Sequence, residues 1–291
     1  MSGAGERAPL DANAEIGRRD VLFVTLDTLR YDVAAGALAD GLTPNLAALL
    51  PGGRWERRHT PGSFTYAAHH AFFAGFLPTP AEPVSDGGRP HERLFAARFA
   101  GSATTGRRTF VHDEPTWVGA LAARGYRTLC VGGVGFFNKQ TPLCRTLPGL
   151  FEESHWSEAT GVTGADSTAE QVRVTCRLLG ETPSDRRALL FLNVSALHQP
   201  NCLFTPGATE DSPATQAAAL AYVDRCLPPL FEALRNRGGA LCVLCSDHGT
   251  AYGEDGYSGH RLAHEVVWTV PYAEFLLPGA GDADALADAS G

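Results

Sequence analysis

Short apolar runs ending in acids or histidines constrain this chain most. DVLFVTL (20–26) runs into Asp27, ALLFL (188–192) into Asn193 and then His198, and ALCVLC (240–245) into Ser246, Asp247 and His248. Runs of this length and β-branched content, apolar on both faces, are the pattern of buried parallel strands. Between them lie helical patterns. TPNLAALL (43–50) opens with Thr43 at the cap and Pro44 at the first helical position. The small, apolar stretch 67–77 reads as a buried helix. PTWVGALAARGY (115–126) reads as an amphipathic helix stopped at Gly125, and STAEQVRVTCRLLGE (167–181) as another helix. Residues 214–239 read as one long helix kinked by Pro228 and Pro229 and ended at Gly238. RTLCVGGVG (127–135) and VPYAEFLL (270–277) complete the strands.

Strands alternating with helices predict an α/β fold, a three-layer sandwich with a mostly parallel central sheet and helices on both faces. One catalytic domain over 19–278 is expected, with a flexible leader at 1–18, a loop excursion at about 78–110 and a disordered tail at 279–291. At 291 residues and 44% hydrophobic, the chain has enough apolar material for such a core. A formal net charge of -8 argues against broad nucleic-acid binding. The first twenty residues lack an apolar signal-peptide core, and no run reaches the ~20 apolar residues of a membrane span. A cytoplasmic protein with no membrane partner is the expectation; the oligomeric state is open. The seven cysteines are scattered, as free thiols in a reducing compartment are. Cys242 and Cys245 form a C-x-x-C spacing inside a strand pattern, where positions three apart point to opposite faces.

In parallel sheets ligands bind beyond the carboxyl ends of the strands. Asp27, Asn193, His198, Asp247 and His248 all fall there. Two carboxylates and an imidazole at one edge repel or stay protonated unless a cation compensates them, and Asp and His are suitable zinc ligands. His260 and His264 follow in Gly-rich sequence, enough histidine for a second ion.

DVLFVTLDTLRYD, TPNLAAL, TYAAHHAFFAGFLP, YVDRCLPPLFEALRNRG and SDHGTAYGEDGYSGH with the later VPY together resemble the alkaline phosphatase superfamily, in its sulfatase-like branch, over residues 20–277. The resemblance is to short bacterial members without a large C-terminal subdomain. It implies that Asp27, Asp247 and His248 bind one divalent metal, and that His198 and His260 serve a second, with His264 the competitor to His260. Zinc is the first choice, with manganese, magnesium or calcium as others. Asn193 stands where an acidic ligand of that second site is usual, and would be a neutral, weaker ligand there. Thr65, ten residues before Gly75, matches the nucleophile and metal-contacting position, with Ser63 the alternative; His69, one turn on, faces the same way as a catalytic or supporting residue. The sulfate-gripping G-K-W-H segment is replaced by GGVGFFN (132–138), and no C-x-P-S-R setting surrounds Thr65. The implied activity is metal-dependent hydrolysis of a small anionic phosphate ester or phosphonate through Thr65. The alternatives are a sulfatase or sulfamidase, a phosphotransferase, or a degenerate metal-binding protein. Arg30 and Asp32 are read as fixing the loop after the first strand, Asp224 as a structural contact, and Lys139 and Arg261 as candidate anion contacts.

Overall fold

The computed structural model describes residues 10–75 and 116–282, with four short strand segments between 85 and 112. The excursion expected at about 78–110 otherwise lies outside the described residues. Seven strands form one sheet: β1 (Asp20–Leu26), β2 (Glu56–His59), β3 (Arg127–Val131), β4 (Glu153–His155), β5 (Ala188–Val194), β6 (Gly239–Cys245) and β7 (Thr269–Pro278). Their order is β2-β7-β6-β1-β5-β3-β4. β6, β1, β5, β3 and β4 run parallel, while β7 is antiparallel to β6 and β2 antiparallel to β7. β1 lies at the centre, with Val24 opposite Leu244 on one side and Leu192 on the other, and all seven of its residues are buried.

Strand alternation divides the core into two. Leu22, Val24 and Leu26 face a layer built from α1 (Tyr31–Ala39), α2 (Pro44–Leu49), α5 (Ser167–Gly180), α6 (Pro213–Cys226) and α7 (Pro228–Asn236). Val21 and Phe23 face α3 (Thr65–Ala74) and α4 (Trp117–Ala123). This is the three-layer α/β sandwich expected. Cys242 packs in the first layer and Cys245 in the second, both as free thiols. Each fully buried Leu or Phe in these layers adds about 1.5–3 kcal/mol over an exposed one.

Four expectations about the elements are corrected. The predicted helix 214–239 is two helices meeting at Leu227, because Pro228 and Pro229 lack the N–H that would carry the ladder onward. Thr43 makes no capping bond at α2; Asp224 of α6 supplies it, accepting from Asn45 N at 3.2 Å and Leu46 N at 2.7 Å. Residues 10–18, read as part of a flexible leader, include a helical turn at Ala12–Glu15 and pack on the body, where Gly17 N donates to the Tyr126 hydroxyl at 2.7 Å. Residues 279–282 of the expected tail are likewise placed, with Asp282 paired to Arg19 at 3.0 Å. Among the described residues, no helix is long and apolar enough to cross a membrane.

Candidate metal and nucleophile site

Three loops meet at the carboxyl edge of the parallel strands. β1 delivers Asp27, β6 delivers Asp247 and His248, and the start of α3 delivers Thr65. Asp27, Asp247 and His248 are fully buried, with ligand atoms within 4.8 Å of one another. The turn after β1 is sharp: Thr28 adopts φ 63°, a conformation costly for a β-branched residue. That turn aims Thr28 N at Asp247 Oδ1, 3.2 Å away, and its hydroxyl at the Leu197 carbonyl, 2.9 Å away. Gly249 meets a different demand. A Cβ there would stand 1.9 Å from the Val266 carbonyl oxygen, so only glycine lets the SDHG turn close. Ser246 Oγ donates to the His248 carbonyl at 2.7 Å, and Thr60 Oγ1 donates to the Asp247 carbonyl.

The donor atoms left over define the chemistry. His248 Nδ1 lies 2.9 Å from the Gly249 carbonyl oxygen, so Nδ1 carries the proton and Nε2 presents a lone pair. Asp27 Oδ1 and Asp247 Oδ2 are buried and have no hydrogen-bond partner. Burial, and then the neighbouring Asp247 charge, pushes the Asp27 carboxyl up to about 7. Burial does the same to Asp247, also to about 7, and drives His248 down, keeping it neutral. Two orphaned carboxylate oxygens and a neutral imidazole nitrogen converging in a dry site fit a divalent cation, which reverses the cost of ionising both acids. Thr65 Oγ1 is 3.4 Å from Asp27 Oδ2 and 3.4 Å from His248 Nε2. Thr65, rather than Ser63, is therefore the hydroxyl at this cluster.

His69 lies one turn along α3, boxed by the rings of Phe72, Phe73, Phe137 and Phe191 at centroid distances of 5.4–6.0 Å. That apolar box pushes its pKa down to about 3. Nδ1 lies 2.7 Å from the Thr65 carbonyl oxygen and Nε2 3.0 Å from Thr25 Oγ1. Both ring nitrogens are engaged, so His69 touches the Thr65 backbone and not its hydroxyl.

The second cluster is looser. The His260 ring lies tilted against His248, with centroids 4.6 Å apart, and edge-on to His198 at 6.0 Å. His260 Nδ1 is buried without a partner, and burial followed by the neighbouring histidines lowers its pKa to about 3. His198 Nδ1 donates to the Gln199 carbonyl at 2.6 Å. His198 and His260 thus reach the site edge, but among the described residues the only metal-like group is Asp27, Asp247 and His248. His264 is held elsewhere. It caps the turn Glu265–Trp268, accepting from Val266 N at 3.2 Å, while its Nε2 sits 3.1 Å from Asp255. Asn193 is next to Asp27, but its amide is fully committed. Oδ1 accepts from Gly133 N and Val134 N at 3.3 and 3.0 Å, and Nδ2 donates to Asp27 and Thr25. No lone pair is left to face a cation, which corrects the expectation of Asn193 as a ligand. Lys139 donates to Ser154, whereas the Arg261 guanidinium lies 4.9 Å over the Phe64 ring, beside Thr65. Arg30, buried and paired with Asp32 and Glu254, ties the loop after β1 to the hairpin leading to His260.

Sequence reasoning missed Thr25 and Thr28. Both lie in plain strand or turn sequence, and only the left-handed turn and the sheet register give them their roles.

The sequence profile of the type I phosphodiesterase / nucleotide pyrophosphatase family matches residues 21–266. A comparison with curated proteins finds no match. Among solved structures, the fold is similar to the soluble domain of lipooligosaccharide phosphoethanolamine transferase A from Neisseria meningitidis, with TM-score 0.60 and 16% identity over 92% of this chain and 78% of that one. It is also similar to the lipoteichoic acid synthase LtaP from Listeria monocytogenes, with TM-score 0.57 and 12% identity over 88% of this chain and 65% of that one. The C-terminal periplasmic domain of EcEptC from Escherichia coli, solved in complex with Zn, matches with TM-score 0.53 and 12% identity over 90% of this chain and 73% of that one.

Proposed function

Because the chain belongs to the type I phosphodiesterase / nucleotide pyrophosphatase family of the alkaline phosphatase superfamily, we propose that it cleaves a phosphate ester through Thr65 with the help of a divalent cation. The observation that carries this reading is the placement of Thr65 Oγ1 3.4 Å from both Asp27 Oδ2 and His248 Nε2, beside two carboxylate oxygens that have no other partner. Asp27, Asp247 and His248 hold the ion, and zinc suits this oxygen and nitrogen set. When bound, the ion supplies Lewis-acid charge that lets a hydroxyl ionise near neutral pH and offsets charge gathering on the phosphoryl group.

Thr65 Oγ1 attacks phosphorus, the bond to the leaving alcohol breaks, and a threonyl phosphoester remains. Water then attacks phosphorus and frees Thr65. Thr65 is the first residue of α3, so the unpaired N–H groups of that first turn add positive potential where the phosphoryl group sits. Neutral His260, with its unpartnered Nδ1, contacts the phosphoryl oxygens from the other side, and Arg261 beside Phe64 offers a further positive charge.

The test is turnover of bis(4-nitrophenyl) phosphate with zinc. Thr65→Ala is expected to lower kcat by roughly 10³-fold or more, and a chelator to abolish turnover until zinc is restored. Thr65→Ala at wild-type rate refutes the nucleophile, and 4-nitrophenyl sulfate turning over faster than the phosphate ester refutes the substrate class.

A second reading, transfer to an alcohol instead of water, is favoured by the fold shared with a phosphoethanolamine transferase. Product analysis with added glycerol separates the two: glycerol phosphoester above free phosphoester supports transfer.

A further inference from the structure

The hydrogen bonds of the Asn193 amide fix its direction. Gly133 N and Val134 N both donate to one side-chain atom of Asn193, and a backbone N–H never accepts, so that atom is the carbonyl oxygen. Nδ2 therefore points the other way, donating to Asp27 Oδ2 at 3.0 Å and to Thr25 Oγ1 at 3.1 Å. His69 Nδ1, 2.7 Å from the Thr65 carbonyl, carries the ring proton. His69 Nε2 is then an acceptor, and the Thr25 hydroxyl proton goes to it across 3.0 Å. One directed chain results: Asn193 amide to Thr25 hydroxyl to His69 imidazole to Thr65 backbone, with a branch to Asp27. Thr25, Asp27, His69 and Asn193 are 0% exposed and Thr65 3%, so water does not substitute for these bonds.

The surroundings hold the amide in place. At Gly133 a Cβ would stand 2.4 Å from the Asn193 backbone oxygen and 2.6 Å from Ser195 Cβ, so the loop after β3 reaches Asn193 only as glycine. Gln171 Nε2 donates to that same backbone oxygen at 2.6 Å.

We infer that Asn193 is a positioning residue that sets, through one amide, both the Asp27 carboxylate and the helix start that carries Thr65. By holding Oδ2 of Asp27, it presents the carboxylate to a cation through Oδ1, the oxygen without a partner. Through Thr25 and His69 it fixes the Thr65 backbone. The inference rests on the reading above, in which Asp27 holds the ion and Thr65 reacts. Acting as a ligand instead would require turning Oδ1 into the site, stripping Gly133 N and Val134 N of their acceptor.

The two branches make different predictions. Asn193→Ala removes both, and is expected to weaken zinc binding, measured by competition with a chromophoric chelator without substrate, by about 10–100-fold and to lower kcat by a similar factor. Thr25→Val is nearly isosteric and removes the hydroxyl that links Asn193 to His69, leaving the bond from Asn193 to Asp27 in place. It is expected to lower kcat about tenfold, with zinc affinity within twofold of wild type and KM unchanged. Zinc affinity or kcat within twofold of wild type in Asn193→Ala overturns the inference. So does a Thr25→Val enzyme with unchanged kcat, or one that loses as much zinc affinity as Asn193→Ala. If Asn193→Ala does not fold, the Thr25→Val pair of measurements decides alone. A wild type that binds no zinc refutes the metal reading and not the hydrogen-bond chain, whose effect on kcat is still read from Thr25→Val.

Discussion

His69 and His248 are both buried histidines at one strand edge, yet their ring environments assign them different work. His248 gives its Nδ1 proton to the Gly249 carbonyl and leaves Nε2 free toward Thr65. His69 spends both nitrogens on Thr65 backbone and Thr25, and a ring pushed down to about 3 does not take up a second proton near neutral pH. Asparagine has an N–H at the position of a histidine Nδ1. His69→Asn is therefore expected to keep the bond to the Thr65 carbonyl and to lose less kcat than His69→Ala, which should fall about 10–100-fold. Neither change should move the midpoints of the kcat–pH profile; a displaced midpoint would show His69 to be a proton carrier after all. Residues of this kind differ in how legible they are. Asp27, Asp247 and His248 stand out because charged side chains directly follow apolar runs. Asn193 has the same placement in the sequence, and only the two N–H donors on its oxygen show that this oxygen is already taken.

At the level of elements, the two ends of the sheet do different jobs. The carboxyl end carries the polar cluster, and the amino end is closed by an ion pair. Asp20, fully buried at the start of β1, pairs with Arg237 at 2.7 Å and accepts from Ala188 N at 2.8 Å. Arg237 also donates to the carbonyls of Thr182 and Arg186, at 2.8 Å each, so it ties β1, the turn before β5 and the end of α7 together. Arg237→Ala leaves the Asp20 carboxylate buried without its cation, and is expected to cost about 3–5 kcal/mol in urea unfolding. Because this lies at the far end of the strands from Thr65, kcat of the folded protein should stay within twofold; a large kcat loss at unchanged stability would contradict this division. Asp224 plays the matching role for α2. Asp224→Ala removes the acceptor for Asn45 N and Leu46 N and should cost about 1–2 kcal/mol. The sequence places Pro44 correctly but assigns the cap to Thr43, because an acceptor 178 and 179 residues away in the chain has no local signature.

For the whole molecule, apolar periodicity was enough for the five parallel strands that line the core, except the short β4, and for β7. β2 and β4, reading ERRH and ESH, were not foreseen. Edge strands face water and so carry no apolar pattern to read. What the global pattern does not reveal is the energetic cost of bringing Asp27 and Asp247 together, and that cost sets how zinc changes the pH response of the protein. Both carboxyls are raised from 3.8 to about 7, each by burial and Asp27 also by the Asp247 charge. A raised folded pKa means the folded chain holds these protons more tightly than the unfolded one. The associated stability is fully present below about pH 4 and is lost as pH climbs toward 7. Over pH 5–8 these two acids therefore pull the Tm of the chelated protein down, against His69, His248 and His260, whose lowered pKa values make stability rise with pH up to about 6.5. In the proposed reading, zinc binds both acids ionised and releases their protons, and so would stabilise more as pH rises. Differential scanning fluorimetry with and without zinc should show a gap in Tm that widens from pH 5 to pH 8. A gap that stays constant or narrows would mean that Asp27 and Asp247 are not the acids that receive the ion.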